Sequence, residues 1–240
     1  MQRLPSLFKV VFALGVVSPC AAPPAHAAFS VKVTVGANVR TVLDNGVGDT
    51  DHAVGRISTN FTLAGYSFNL NATTDEPGVS GAGTLTNGTI AIRRASSAVA
   101  NNTATVQLIS TNFNLASVGQ KVLVSNAISS TLLRGSATAT GTSTYDGHAT
   151  GAASIHGAIG GAPHPFGADA TSLVVTTLHH PATISNTLTL TGLSRLNSDS
   201  LTDANVNLTT TATAVVPAPP ALALLASGLP LAVFMRRRKA

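Results

Sequence analysis

Residues 29–35 read FSVKVTV, with apolar and polar side chains in strict alternation. Successive side chains of a β-strand point to opposite faces, so a period of two predicts a half-buried strand. Similar β-branched and apolar runs, separated by turn-forming residues, continue along residues 28–215. Short strands at this spacing are typical of an all-β sandwich or barrel. The pattern therefore predicts a single antiparallel β-sandwich, jelly-roll-like, over residues 28–215.

Two pairs of runs are expected to form β-hairpins. Residues 57–63 and 66–70 flank Ala64-Gly65, and two further runs flank Asn87-Gly88. Asn-Gly between strand-like runs is the preferred dipeptide of a two-residue hairpin turn. The remaining strands are expected at residues 103–109, 121–125, 173–178, 183–193 and 205–215.

The alanine-rich segment 135–145 would permit a helix, but its β-branched threonines and glycines argue against one. Residues 147–167 carry six glycines and two prolines, and we interpret them as a long loop or irregular edge. The hexapeptides 58–63 and 110–115, STNFTL and STNFNL, are similar, and each is expected to place its phenylalanine inward. Two copies do not indicate a repeat architecture.

The N-terminus has the organisation of a secretory signal peptide over residues 1–27. A short apolar stretch follows basic Arg3, and Ala25 and Ala27 form an A-x-A cleavage site. Cleavage at a lipoprotein cysteine, Cys20, is the alternative, but Pro19 stands where a small residue is needed. Cleavage after Ala27 would leave an exported domain without cysteine, which must be stabilised by core burial and backbone pairing.

Residues 216–240 combine a proline-rich hinge, an apolar run and a terminal basic cluster. The apolar run, 221–235, is shorter than the roughly 20 residues of a comfortable transmembrane helix. The basic cluster would stay on the cytoplasmic side of the membrane. The hinge and the cluster consist of Val216, Pro217, Ala218 and Pro219, and of Arg236, Arg237, Arg238 and Lys239.

This three-part tail resembles the PEP-CTERM sorting signal of exported bacterial proteins. The resemblance covers residues 216–240 and implies processing at the proline-rich motif by an exosortase-type enzyme. It further implies a membrane-tethered precursor at the inner membrane, and then a protein that is retained at the cell surface or released. Family members are often associated with extracellular polysaccharide and biofilm, which makes polysaccharide an expected partner.

The positive charge of the chain belongs to its two ends. Of the fourteen Lys and Arg residues, eight lie in residues 28–215 together with all nine Asp and Glu residues, so this body carries a net charge of −1. A nucleic-acid-binding domain needs a basic surface, and this body has no surplus of positive charge to supply one. We therefore expect no nucleic-acid partner.

Two groups of residues could ligate a metal. Asp44, Asp49 and Asp51 lie in a glycine-containing loop, and carboxylates on a flexible turn suit Ca²⁺. The competing interpretation, which we favour, is a solvated loop that uses Asp, Asn and Gly for turn geometry, with no cofactor. The histidines His148, His156, His164, His179 and His180 are interpreted as surface residues.

The sequence contains no recognised nucleophile, zinc-protease or phosphate-loop motif. The expectation is a non-enzymatic, exported surface or extracellular-matrix protein. The alternatives are a secreted hydrolase with a site that the linear sequence does not reveal, or a β-sandwich that binds calcium or a glycan.

Overall fold

In the computed structural model, residues 29–75, 82–94, 103–113, 115–133, 137–157, 167–193 and 204–215 are described. The regular secondary structure within these ranges consists of β-strands, as the composition and periodicity predict. No helix in them has the length and apolarity that a membrane crossing requires. The predicted signal peptide and the predicted transmembrane tail lie outside the described residues.

The strands pair into two antiparallel sheets. The seven-stranded sheet has the order β10-β8-β12-β6-β1-β2, with β9 also paired to β8, and the six-stranded sheet has the order β11-β7-β13-β5-β4-β3. The strands are β1 (Phe29–Val35), β2 (Asn38–Leu43), β3 (Arg56–Leu63), β4 (Tyr66–Asp75), β5 (Ala82–Arg94), β6 (Ala104–Phe113), β7 (Lys121–Leu133), β8 (Thr138–Tyr145), β9 (His148–Ala149), β10 (Ala153–His156), β11 (Gly167–Thr176), β12 (Ala182–Thr191) and β13 (Ala204–Ala214).

Both sheets bury one face in a single hydrophobic core. Alternate residues of the strands are buried, as in β1, β8 and β13, so each sheet has an inner and an outer face. All the described aromatic side chains belong to this core: Phe29, Phe61, Tyr66, Phe68, Phe113 and Tyr145. The prediction that Phe61 and Phe113 point inward is confirmed, although β3 is an edge strand and β6 an interior one.

The hairpin predicted around Ala64-Gly65 is confirmed. Tyr66 pairs with Leu63, and Ala64 and Gly65 both have positive φ, at 48° and 82°. Positive φ at both central residues is the geometry of a type I′ turn, whose twist matches that of the flanking strands.

The hairpin predicted at Asn87-Gly88 is wrong, because both flanking runs belong to the continuous strand β5. The register against β4 and β13 shifts at this point, so β5 contains one residue more than its partners. A glycine inside a strand often marks such a β-bulge. The runs on either side of Gly88 both pair with β4 and β13, and these long-range partners override the local turn preference.

The glycine-rich segment 147–167 is more ordered than a long loop in its first part. It contains β9 and β10, and β10 is the edge strand of the seven-stranded sheet. The interpretation of this first part as an edge of the sheet is therefore confirmed. Residues 158–166 lie outside the described ranges.

Buried side-chain hydrogen bonds cross between the two sheets. Asn126 Nδ2 donates to the carbonyl oxygen of Gly141 at 2.8 Å, and Asn186 Nδ2 donates to that of Leu85 at 3.1 Å. The hydroxyls of Ser143 and Thr210 are 2.5 Å apart. A short asparagine side chain reaches the backbone of the opposite sheet only where the sheets approach closely.

Gly141 permits this approach. A Cβ atom at Gly141 would lie 2.5 Å from Leu208 Cδ1 of the opposite sheet, well inside van der Waals contact. A side chain at this position must therefore push Leu208 aside in a fully buried environment.

Gly141→Ala is expected to lower the free energy of unfolding by about 1–3 kcal/mol, the usual cost of overpacking a core. Gly151→Ala is the matched control, since a Cβ there would meet its nearest atom at an ordinary 3.5 Å. Urea unfolding of both variants measures the effect. Equal stabilities of the two variants would show that the sheets are not in close contact at Gly141.

Candidate functional site

Asp146 lies in a tight turn between β8 and β9. Tyr145 pairs with His148, and the two residues between them, Asp146 and Gly147, have positive φ of 50° and 83°. Asp-Gly is a preferred dipeptide of this turn type, and it is the sequence signal that would have predicted the position of Asp146.

The Asp146 carboxylate joins this turn to the segment between β11 and β12. Its Oδ2 accepts hydrogen bonds from the backbone N–H of Leu178 and, at 2.8 Å, of His179. Its Oδ1 lies 2.6 Å from His179 Nδ1. The side chain of Asp146 is almost completely buried, whereas the side chain of His179 is 75% exposed.

The surroundings of Asp146 favour its charged form. Burial by itself would raise the pKa of the Asp146 carboxyl, but the hydrogen bonds from the His179 ring and from the two backbone amides outweigh burial. The pKa of Asp146 is therefore held below its usual range. Burial raises the pKa of the neighbouring Tyr145 hydroxyl, and a contact with Thr177, outside normal hydrogen-bond geometry, only partly offsets this.

The pair could perform acid–base chemistry. A carboxylate accepts hydrogen bonds only, so Nδ1 of His179 carries the proton that it shares with Asp146. In the neutral ring, Nε2 then has the free lone pair and can accept a proton or bind a metal. Among the described residues, Asp146 is the only hydrogen-bond partner of this ring, so no serine hydroxyl is bound to Nε2 there.

The predicted calcium residues lie in the turns between β2 and β3, where backbone amides occupy their carboxylates. Asp49 accepts bonds from the N–H groups of Asn45, Asp51 and Ser58 at 2.9, 3.0 and 3.0 Å. Asp44 accepts one from Gly55 at 2.8 Å, and Asp51 accepts one from Ala53 at 3.0 Å. These bonds account for the three residues as turn-forming groups, and calcium binding stays a prediction.

The other histidines interpreted as surface residues contact different parts of the chain. His156 Nδ1 lies 3.0 Å from Thr138 Oγ1, and His180 Nδ1 lies 3.0 Å from the carbonyl oxygen of Ala116. His148 is exposed in β9, and His164 lies outside the described ranges. Within those ranges, no three His, Cys, Asp or Glu residues are grouped as metal ligands. The residues of the predicted sorting and cleavage motifs also lie outside them.

The outer face of the seven-stranded sheet carries regular rows of hydroxyl groups. One row crosses five adjacent strands and is flanked by a second that contains a single charged residue, Lys32. The first row consists of Ser154, Thr140, Thr189, Thr105 and Thr34. These side chains are partly exposed, so they form a largely uncharged surface that can donate and accept hydrogen bonds.

The chain matches no family model and no curated protein sequence.

Asp146→Asn tests the role of the carboxylate in joining the two segments. We expect the variant to lose about 1–3 kcal/mol of stability near neutral pH, because the amide cannot accept all the bonds that the carboxylate accepts. A carboxyl whose pKa is lowered by folding stabilises the protein above the unfolded-state pKa of about 3.9, and this contribution is lost as the pH falls through the folded-state value.

The difference between wild type and Asp146→Asn should therefore shrink in acid. Urea unfolding at a series of pH values measures it. Asp51→Asn, which loses a carboxylate with one backbone contact, is the control and should have a smaller effect. A deficit of Asp146→Asn that is the same at every pH would contradict the account.

Proposed function

We propose that this protein is an exported bacterial surface or extracellular-matrix protein, non-enzymatic, that is sorted through its PEP-CTERM-like tail. The observation that carries the proposal is the pair of processing signals in the sequence, the A-x-A site at Ala25 and Ala27 and the three-part tail of residues 216–240. All the described strands lie between Phe29 and Ala214, and the two predicted processing signals lie immediately outside these residues.

The N-terminal boundary is compatible with cleavage after Ala27. Phe29, the first residue of β1, is buried in the core. A mature chain that starts at Ala28 keeps this residue and every described strand. Removal of the signal peptide would therefore leave every residue of the described core in the mature protein.

The C-terminal boundary is compatible with processing at Pro217–Pro219. Strand β13 pairs with β5 on one side and β7 on the other, and the N–H of Val215 donates to the carbonyl oxygen of Lys121 at 2.8 Å. The paired chain thus extends to the residue before Val216. An exosortase-type enzyme could cut the hinge and separate the membrane segment without breaking a described strand.

The architecture fits a protein that associates with polysaccharide. We propose that the two sheets form a jelly-roll-like sandwich, since the chain crosses between them repeatedly from β5 to β13. Its hydroxyl-rich outer surface suits a neutral, hydroxyl-bearing partner better than nucleic acid, which requires concentrated positive charge.

The alternatives differ in what supports them. Asp146 and His179 would give a secreted hydrolase its acid–base group, but the described residues supply no bonded nucleophile. Calcium binding at Asp44, Asp49 and Asp51 would have to use the carboxylate lone pairs that the backbone amides leave free. Glycan binding has a specific geometric feature in its favour, a groove on the outer face of the six-stranded sheet that residues of β11, β7 and β13 line.

Intact-mass spectrometry of the protein recovered from its native host tests the sorting proposal. We expect the extracellular form to begin at Ala28 and to end at about Pro217–Pro219. A double variant, Pro217→Ala with Pro219→Ala, should accumulate as the uncleaved precursor because it lacks the recognition motif. Pro230→Ala, within the apolar run, is the control and should be processed. An extracellular pool that retains Arg236–Lys239 would refute the proposal.

A further inference from the structure

The outer face of the six-stranded sheet contains a groove with a volume of about 460 Å³. It runs over β11, β7 and β13, next to the open edge of the sheet. Sites for small ligands usually have volumes of about 300–1,000 Å³. The groove is therefore large enough for a sugar unit of a polymer.

Small side chains produce the groove. Two rows cross the three strands in register: Ala168, Ser129 and Asn207 form the first, and Ala170, Ala127 and Thr209 form the second. The alanine methyl groups and the serine are short, whereas Asn207 and Thr209 on β13 are longer and form one polar side. The result is a depression with an apolar floor and hydrogen-bonding groups beside it.

The polar side is held in place by its own hydrogen bonds. Asn207 Nδ2 donates to the carbonyl oxygen of Gly88 at 3.2 Å, and Thr209 Oγ1 donates to Asn207 Oδ1 at 3.2 Å. Gly88 lies at the bulge of β5, where the extra residue shifts the register. An amide has two N–H donors and two acceptor lone pairs, so one of each is left for a ligand.

The groove has no cationic side chain in its lining. Asp169 is its one ionisable lining residue, and both of its carboxylate oxygens accept backbone hydrogen bonds, from Ser154 and Ala170 at 2.8 Å. Asp169 pairs with Ile128, whose side chain is buried, and it reaches the edge strand of the other sheet. An anionic ligand would find no counter-ion among the lining residues and would be repelled by the Asp169 carboxylate, whereas a neutral ligand needs no counter-ion.

We propose that this groove binds one sugar unit of a neutral polysaccharide. The alanine methyl groups contact the C–H surface of the sugar, and Ser129, Asn207 and Thr209 form hydrogen bonds with its hydroxyl groups. This inference rests on the proposed function, to which it adds the binding site and the class of polymer.

The expected affinity of one site is low. The described aromatic side chains are all buried in the core, so none of them stacks on the sugar. A few neutral hydrogen bonds and a small apolar contact suggest a Kd on the order of 1 mM. A polymer with many identical units, contacting many copies of the protein, would be retained much more strongly through avidity.

Ligand-observed and titration NMR on the exported protein measure this interaction with defined probes. The probes are cellohexaose and maltohexaose, which are neutral, and an oligogalacturonate of similar length, which is acidic. We expect saturable binding of at least one neutral probe and weaker binding of the acidic one.

Two substitutions address the groove, with one matched control. Thr209→Val keeps the shape and β-branching but removes the hydroxyl, and should weaken binding about three- to tenfold. Ala127→Leu fills the floor and should abolish saturable binding. Thr73→Val makes the same chemical change at an exposed position of β4 outside the groove lining and should leave the Kd unchanged. Thermal melting of each variant checks that it is folded.

Absence of saturable binding to both neutral probes would overturn the proposal, as would equal losses in Thr209→Val and Thr73→Val. Preference for the acidic probe would also overturn it. Concentration-dependent self-association that Ala127→Leu abolishes would identify a second copy of the chain as the occupant instead.

Sorting is tested separately. A cleaved tail without probe binding would reject the groove alone, and probe binding with an intact tail would reject sorting alone.

Discussion

The fold depends on the close approach of its two sheets at Gly141. Leu208 packs where a side chain of residue 141 would otherwise lie, at 2.5 Å from the added Cβ. Around this contact, Asn126 bonds to the Gly141 carbonyl and Ser143 bonds to Thr210 across the interface. Buried polar groups are costly unless they are paired. These pairs therefore specify which strands of the two sheets face each other.

The same arrangement determines what the outer surface can offer. The described aromatic side chains and most large apolar ones lie in the core, so the outward-facing strand positions carry mainly threonine, serine, asparagine and alanine, with Leu123 and Val174 among the exposed apolar exceptions. On the seven-stranded sheet these residues form continuous rows, whereas on the six-stranded sheet three alanines create a groove beside Asn207 and Thr209. The outer surface thus presents hydrogen-bonding groups with few charges, which is the chemistry that the proposed contact with a neutral polymer requires.

Much of the strand content could be predicted from the sequence, because period-two alternation reports directly on the inner and outer faces of a strand. The turn at Ala64-Gly65 followed in the same way from its flanking runs. The hairpin predicted at Asn87-Gly88 was wrong because a turn preference depends on a few neighbouring residues only. The pairing of β5 with β4 and β13 depends on more distant segments of the chain. Asp146 and His179 are 33 positions apart, and only the pairing of β8 with β12 brings their segments together. The groove likewise could not be predicted, because it depends on the pairing register of β11, β7 and β13.

A double-mutant cycle on Ser143 and Thr210 tests most directly whether buried polar pairs join the sheets. Ser143→Ala and Thr210→Val should each lower the free energy of unfolding by about 1–3 kcal/mol, because each leaves a buried hydroxyl without its partner. The double variant removes both hydroxyls, so its loss should be smaller than the sum of the single losses by about 1 kcal/mol or more. Strictly additive losses in urea unfolding would contradict the account, since they would show that the two hydroxyls do not interact across the core.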